Sequence, residues 1–206
     1  MKTILLVCVW CAVASAEPWP VQVPDGWAEQ KALADAQLGK LKSVPGTVRG
    51  EGTIFLSPDG DAQLTILRWD LELGSTSKET VEQFDKGMTT GASEQATRHV
   101  SDDRHFVAQQ MRASSVDEVK GLQVHQERVY AVDASGVIHL VSAICTAAPS
   151  ALGPCEDVQR TLSLSLPNAA DFGASDDKDM AYKIGYALGG VLTVMGLIWL
   201  VRRFAK

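Results

Sequence analysis

The 206-residue sequence predicts an α+β fold, an antiparallel sheet carrying two or three packed helices, with one C-terminal transmembrane helix. Three observations carry this reading. Apolar, β-branched runs recur on either side of Pro, Asp and Gly turns; two segments have helical composition or spacing behind a turn or capping hydroxyls; and residues 184–201 contain no charge. Hydrophobic residues make up 46% of the chain and charged residues 21%, with mean hydropathy near zero, which excludes a disordered, collagenous or polytopic protein.

Residues 1–16 combine Lys2, an apolar run from Ile4 to Val13 and the small residues Ala14, Ser15 and Ala16. That is a secretory signal with an A-x-A cleavage site, so the mature chain is expected to start at Glu17. Cys8 and Cys11 match the C-x-x-C redox spacing but lie in the apolar part of this signal. Val7 and Trp10, which precede them, are too bulky for a lipoprotein cleavage site.

The exported domain is expected over 17–168. Pro24-Asp25-Gly26 turns the chain into a helix running to about Lys42, which Ser43-Val44-Pro45-Gly46 stops. Thr53 to Leu56 and Gln63 to Trp69 form a hairpin around Ser57-Pro58-Asp59-Gly60. Ser75, Thr76 and Ser77 offer capping hydroxyls, with Glu79 three residues after Thr76. Val81, Phe84 and Met88 follow at helical spacing, giving a helix over about 77–90 that Gly87 and Gly91 weaken. Residues 96–114 read as two strands turning around Ser101-Asp102-Asp103. Leu122 to Val132 and Val137 to Thr146 form the clearest hairpin, across Asp133 to Gly136. Glu156 to Leu166 fits a helix through Val158 and Leu162, or a strand through Leu162, Leu164 and Leu166; the helix is preferred.

Residues 169–179 are mostly small, polar and acidic, so 169–182 are expected to form a juxtamembrane linker; 183–203 form the expected membrane helix and 204–206 the tail. Arg202, Arg203 and Lys206 place that tail in the cytoplasm by the positive-inside rule, and Tyr182, Tyr186 and Trp199 lie near the two interfaces. The expected location is therefore the inner (plasma) membrane, crossed once, with the domain outside the cytoplasm. Gly185 and Gly189 form a G-x-x-x-G pair, the face of a candidate homodimer.

Between Glu17 and Asp179 lie all 25 acidic and 14 basic residues, a net charge of −11. Phosphate backbones repel such a domain, which argues against nucleic acid and leaves a basic protein as the easier partner.

Cys145 and Cys155 are the cysteines that remain after cleavage. In an oxidising compartment they read as a disulfide joining the last strand to the last helix. His99, Asp102, Asp103 and His105 are the densest run of metal-ligand types, but Arg104 among them adds positive charge, and a polar turn explains them equally. His125 and His139 fall on the late hairpin. Ser75-Thr76-Ser77-Lys78 matches S-x-x-K without its companion S-D-N and K-T-G elements, and G-x-S-x-G, H-E-x-x-H, P-loop and G-x-G-x-x-G patterns are absent from the sequence. Glu94, Asp102, Asp103, Asp117 and Glu118 are carboxylates that sequence cannot pair across a cleft. Trp19, Trp27 and Trp69 read as core sooner than as a binding platform. Leu166-Pro167-Asn168-Ala169-Ala170 is close to the L-P-x-T-G sorting pattern, with Ala169 where the scissile Thr would stand.

The opening Val23-Pro24-Asp25-Gly26-Trp27, the Ser57 to Gly60 hairpin, the helix after Thr76, the Asp133 to Gly136 hairpin and the closing helix resemble the PsbP-like α/β fold, including exported members related to DcrB lipoproteins. The resemblance covers about 145 residues and carries no catalytic residues. It implies a binding, chaperone or accessory role, although the lipoprotein members lack a C-terminal helical anchor. The expected function is thus a non-enzymatic, cofactor-free adaptor or partner-binding domain held at the membrane. The alternatives are a small-ligand or lipid sensor, a toxin-immunity protein, and, last, a metal-dependent enzyme.

Overall fold

In a computed structural model, described for residues 19, 21–38, 45–173 and 181–190, the chain is α+β around one antiparallel sheet. The elements are β1 (Ala28–Glu29), α1 (Lys31–Leu38), β2 (Thr47–Leu56), β3 (Ala62–Leu71), α2 (Lys78–Ser93), β4 (Arg98–Val107), β5 (Gln110–Val119), β6 (Leu122–Asp133), β7 (Ile138–Ala147), α3 (Gly153–Arg160) and β8 (Ala169–Ala170). Residues 181–190 are helical and are called α4. The sheet order is β1-β2-β3-β7-β6-β5-β4, with β8 paired to the end of β6. After β3 the chain crosses over through α2, and the meander β4 to β7 returns to lay β7 beside β3.

Local chemistry sets the turns. Between β2 and β3, Gly60 N–H donates to the Ser57 carbonyl, while the Ser57 hydroxyl donates to Asp61 and accepts from Ala62 N–H. Lys120 and Gly121 both have positive φ (52° and 82°), the two-residue geometry whose twist matches the flanking strands. The expected turn at Ser101 to Asp103 is overturned. Those residues lie inside β4, and the chain reverses at Ala108-Gln109, where Ala108 takes φ 52° without the usual glycine. The error has a physical source: β4 is the edge strand, exposed along most of its length, so its charged residues mimic a loop.

Two further boundaries differ from expectation. The first helix starts at Lys31, because Ala28 and Glu29 pair with Leu56 and Phe55 of β2. The last helix ends at Arg160, after which Leu162 and Leu164 belong to neither helix nor strand and pack into the second core. Ser77 caps α2 by accepting from Thr80 N–H at 3.1 Å.

Strand alternation sends side chains into two cores. On one face, Ile54, Leu67, Trp69, Leu71, Met111, Tyr130, Val132, Ile138 and Leu140 meet Ala34 of α1, Val81, Phe84 and Met88 of α2, and Ala181, Ile184 and Leu188 of α4. On the other, Leu64, Ile66, Val129, Val141 and Ala143 meet Leu152, Val158 and Leu162, with Trp19 and Trp27 partly buried against them. Cys145 and Cys155 are disulfide-bonded within this second core, their Cα atoms 5.8 Å apart, tying β7 to α3 as expected.

Among the described residues, no helix is long and apolar enough to cross a membrane. The signal segment 1–16, the second half of the expected membrane helix and Arg202, Arg203 and Lys206 lie outside the described residues.

Candidate functional site

Polar side chains collect where α2 crosses the β4–β6 end of the sheet. Asp85 lies on the buried stripe of α2, one turn beyond Val81, and is fully buried. Its Oδ1 accepts from Arg128 Nε at 2.6 Å and from the Tyr130 hydroxyl at 2.7 Å, and its Oδ2 accepts from Arg104 Nε at 2.6 Å. Arg128, also fully buried, donates in addition to Ser115, Gln126 and Thr89. Burial and the Asp85 charge push the Tyr130 hydroxyl well above its usual range, so it serves as a neutral donor. Burial, the largest single influence, opposes the charge on Arg128, but Asp85, Tyr130 and Glu127 together offset it and raise its pKa.

Two turns beyond Asp85, Ser93 at the end of α2 meets His99 of β4 and the buried Asp117 of β5. His99 Nδ1 lies 2.9 Å from Asp117 Oδ1 and 3.1 Å from Ser93 Oγ, and Ser93 Oγ itself donates to Asp117 Oδ1 at 2.9 Å. His99 Nε2 is 3.2 Å from Asp102. Ser93 Oγ and Asp117 thus share the Nδ1 side of His99, while Asp102 faces Nε2. Both ring nitrogens therefore face carboxylates, which favours the doubly protonated ring. The hydrogen bond to Asp117, and after it the one to Asp102, raise the His99 pKa against the effect of burial. Asp102 is lowered, chiefly by its hydrogen bond from Arg104.

The run His99, Asp102, Asp103, His105 does not converge. A bulge between His99 and Ser101 and the alternation beyond it place His99 and Asp102 on the α2 side, while Asp103 and His105 pair at 3.0 Å on the other. Among the described residues, no group of three or more His, Cys, Asp or Glu could hold a metal ion. His125 lies beside Glu156 of α3, and burial lowers its pKa. His139 is held between Asp70 at 2.7 Å and Asp133 at 3.1 Å. Asp133 is held well below the usual carboxylate range by the Ser135 hydroxyl, then by His139.

The face carrying α3 has an open groove of about 510 Å³. Trp19, Arg49, Arg68, Asp70 and His139 line it together with the segment from Ser163 to Pro167. Both arginines pair with Glu51, at 3.0 and 3.5 Å. Trp69, by contrast, is core, its indole N–H donating to Thr47.

Gly185 and Gly189 of α4 lie against α2 of the same chain. An added Cβ at Gly185 would collide with the Phe84 carbonyl, and one at Gly189 with the Met88 carbonyl. Reciprocally, Gly87 and Gly91 of α2 meet the carbonyls of Tyr182 and Tyr186. Contacts rise in number together along both helices, so α2 and α4 run parallel.

Sequence reasoning missed Asp85, Arg128 and Tyr130. The signal was present: Asp85 interrupts the apolar stripe of α2, and Arg128 shares its strand face with Val124, Tyr130 and Val132. The chain matches no protein-family model, and no curated protein is similar to it.

Proposed function

We propose that the chain is a single-pass, membrane-anchored envelope protein that presents an acidic, non-catalytic partner-binding domain outside the cytoplasm. The observation that carries this reading is the groove beside α3: an aromatic ring, both signs of charge and the backbone of 163–167 face one open concavity. That set suits a short polar segment of a protein partner, which adds hydrogen bonds along the chain and seats a side chain on Trp19. The net charge of −11 between Glu17 and Asp179 favours a basic partner. Supporting the absence of catalysis, Ser93, His99 and Asp117 are wired as a clamp between α2, β4 and β5. The disulfide supports an exported address, and the uncharged stretch 184–201 supports the anchor. The PsbP-like resemblance enters as a fold-level analogy for an accessory role.

The test places a photo-crosslinking residue at the exposed Ser165 of the full chain in native membranes. The expected result is a stoichiometric adduct with one protein, diminished by high salt and by Trp19→Ala. A groove that yields no protein adduct would overturn the adaptor reading. The second reading, a small-ligand sensor, is favoured by the groove's volume, which lies within the ~300–1,000 Å³ of ligand pockets. It would be supported by a small molecule copurifying with the wild-type chain and lost from the Trp19→Ala variant.

A further inference from the structure

We infer that the glycine face of α2 is a docking site for the chain's own anchor helix, and that docking and full membrane insertion are alternative states of that segment. This rests on the anchor reading above. The docked state is built from both sides. Gly87 and Gly91 of α2 admit the backbone of Tyr182 and Tyr186, and Gly185 and Gly189 admit that of Phe84 and Met88, so four Cβ positions are left empty along one parallel seam. Beside the seam, Ala181, Ile184 and Leu188 are buried in the domain core. The Tyr186 hydroxyl also donates to Glu94, just past the end of α2.

The arithmetic of length separates the two states. The uncharged stretch 184–201 has 18 residues, about 27 Å of helix at 1.5 Å per residue, barely the thickness of a bilayer core of about 30 Å. Docking commits 184–190 to the domain, and the eleven residues 191–201 then amount to about 16 Å, half a span. The domain cannot make up the difference by sinking into the lipid. The half of α2 nearest the membrane, with the residue just past its end, carries the exposed Lys86 and Glu94, which are costly in hydrocarbon. The connection is long enough for the helix to leave the seam: Gly173 is tied to Thr76 by its N–H at 3.0 Å, and the seven residues 174–180 reach at most about 25 Å beyond it. The same glycine pair therefore shields the apolar helix in one state and is withdrawn from the domain in the other.

The test uses the full-length protein with Glu94→Cys and Tyr186→Cys, treated in cells with a short bis-maleimide. Alkaline carbonate then separates integral from peripheral molecules. The expected result is cross-linking in the extractable fraction and little in the integral one. Adding Gly185→Leu, which places a side chain against the Phe84 carbonyl, should lower cross-linking at least tenfold and move the chain into the integral fraction. Equal cross-linking in integral molecules, or cross-linking unaffected by Gly185→Leu, would overturn the inference. An integral chain that never cross-links would overturn docking alone, leaving the anchor. A chain that cross-links fully and is never integral would overturn the anchor reading and the alternation with it.

Discussion

Replacing Asp85 by Ala removes the acceptor for two arginines and a tyrosine at one stroke, and the three partners do not suffer equally. Arg104 is partly exposed and keeps Asp102, so water and that carboxylate compensate it. Arg128 has no such recourse. Fully buried, it would retain only the neutral acceptors Ser115, Gln126 and Thr89 for a full positive charge. Tyr130 keeps only its weak contact to the Met88 sulfur, 3.6 Å away. Breaking a buried pair in this way costs about 3–5 kcal/mol, because the remaining charge is uncompensated. For a domain of this size that is about 6–20 °C in Tm, at about 2–4 °C per kcal/mol. The assay is urea unfolding of the full-length protein in detergent, monitored by tryptophan fluorescence, since Trp69 lies in the same core. A second variant, Asp85→Leu with Arg128→Met, removes both charges together and is expected to recover most of the loss, since apolar replacement of a whole buried pair is often neutral. Asp85→Ala costing under about 1 kcal/mol, or the double variant faring as badly as the single, would refute the reasoning.

The remaining predictions concern the edges of the same framework. His99 is raised above its unfolded value, so its contribution to stability is complete below that value, about 6.5, and is lost as pH rises through the folded pKa; His125, lowered by burial, gives the opposite slope. NMR titration should place the two imidazoles on opposite sides of 6.5, and His99→Gln should remove the stability loss on the alkaline side. Paired Cys145→Ser and Cys155→Ser should cost about 2.5–3 kcal/mol in urea unfolding, as expected for so short a closed loop. Ser93 should stay unlabelled by a fluorophosphonate probe, because its proton is given to Asp117 and not to an imidazole.

The hairpins were legible because their turns carry unambiguous chemistry: Ser57 to Gly60 and Asp133 to Gly136 combine polar side chains that bond their own backbone with a positive-φ glycine. β4 was not, because an edge strand is free to be polar on both faces and Ala108 turns without glycine. The closing segment was ambiguous because it is two things, a disulfide-held helix to Arg160 and, after it, irregular chain whose Leu162 and Leu164 pack into the second core. The charge cluster escaped a reading that looked for catalytic spacing. Asp85 and Arg128 are 43 residues apart and are brought together only by the crossover that lays α2 on β6. His99 and Asp102 were singled out as metal-ligand types. The structure shows them in contact, yet as an ion pair beside Asp117, since the β4 bulge that turns His99 inward leaves no mark in residue type.

The glycines of α2 show how a local signal and its tertiary reason can point in opposite directions. Read along the sequence, Gly87 and Gly91 each weaken the helix by about 1 kcal/mol relative to Ala. Local propensity alone therefore says that Gly87→Ala stabilises. The structure reverses the sign, because the new Cβ would stand against the Tyr182 carbonyl and the Tyr186 backbone N, neither of which is the mobile end of a side chain. Accommodating it requires α4 to move away, exposing Ala181, Ile184 and Leu188, and losing more than the propensity gain. Fluorescence-monitored unfolding, without detergent, of the soluble full-length Gly87→Ala chain should show a lower urea midpoint than wild type. A raised midpoint would mean that α4 does not rest on α2 in solution, and that the two glycines serve a contact made elsewhere.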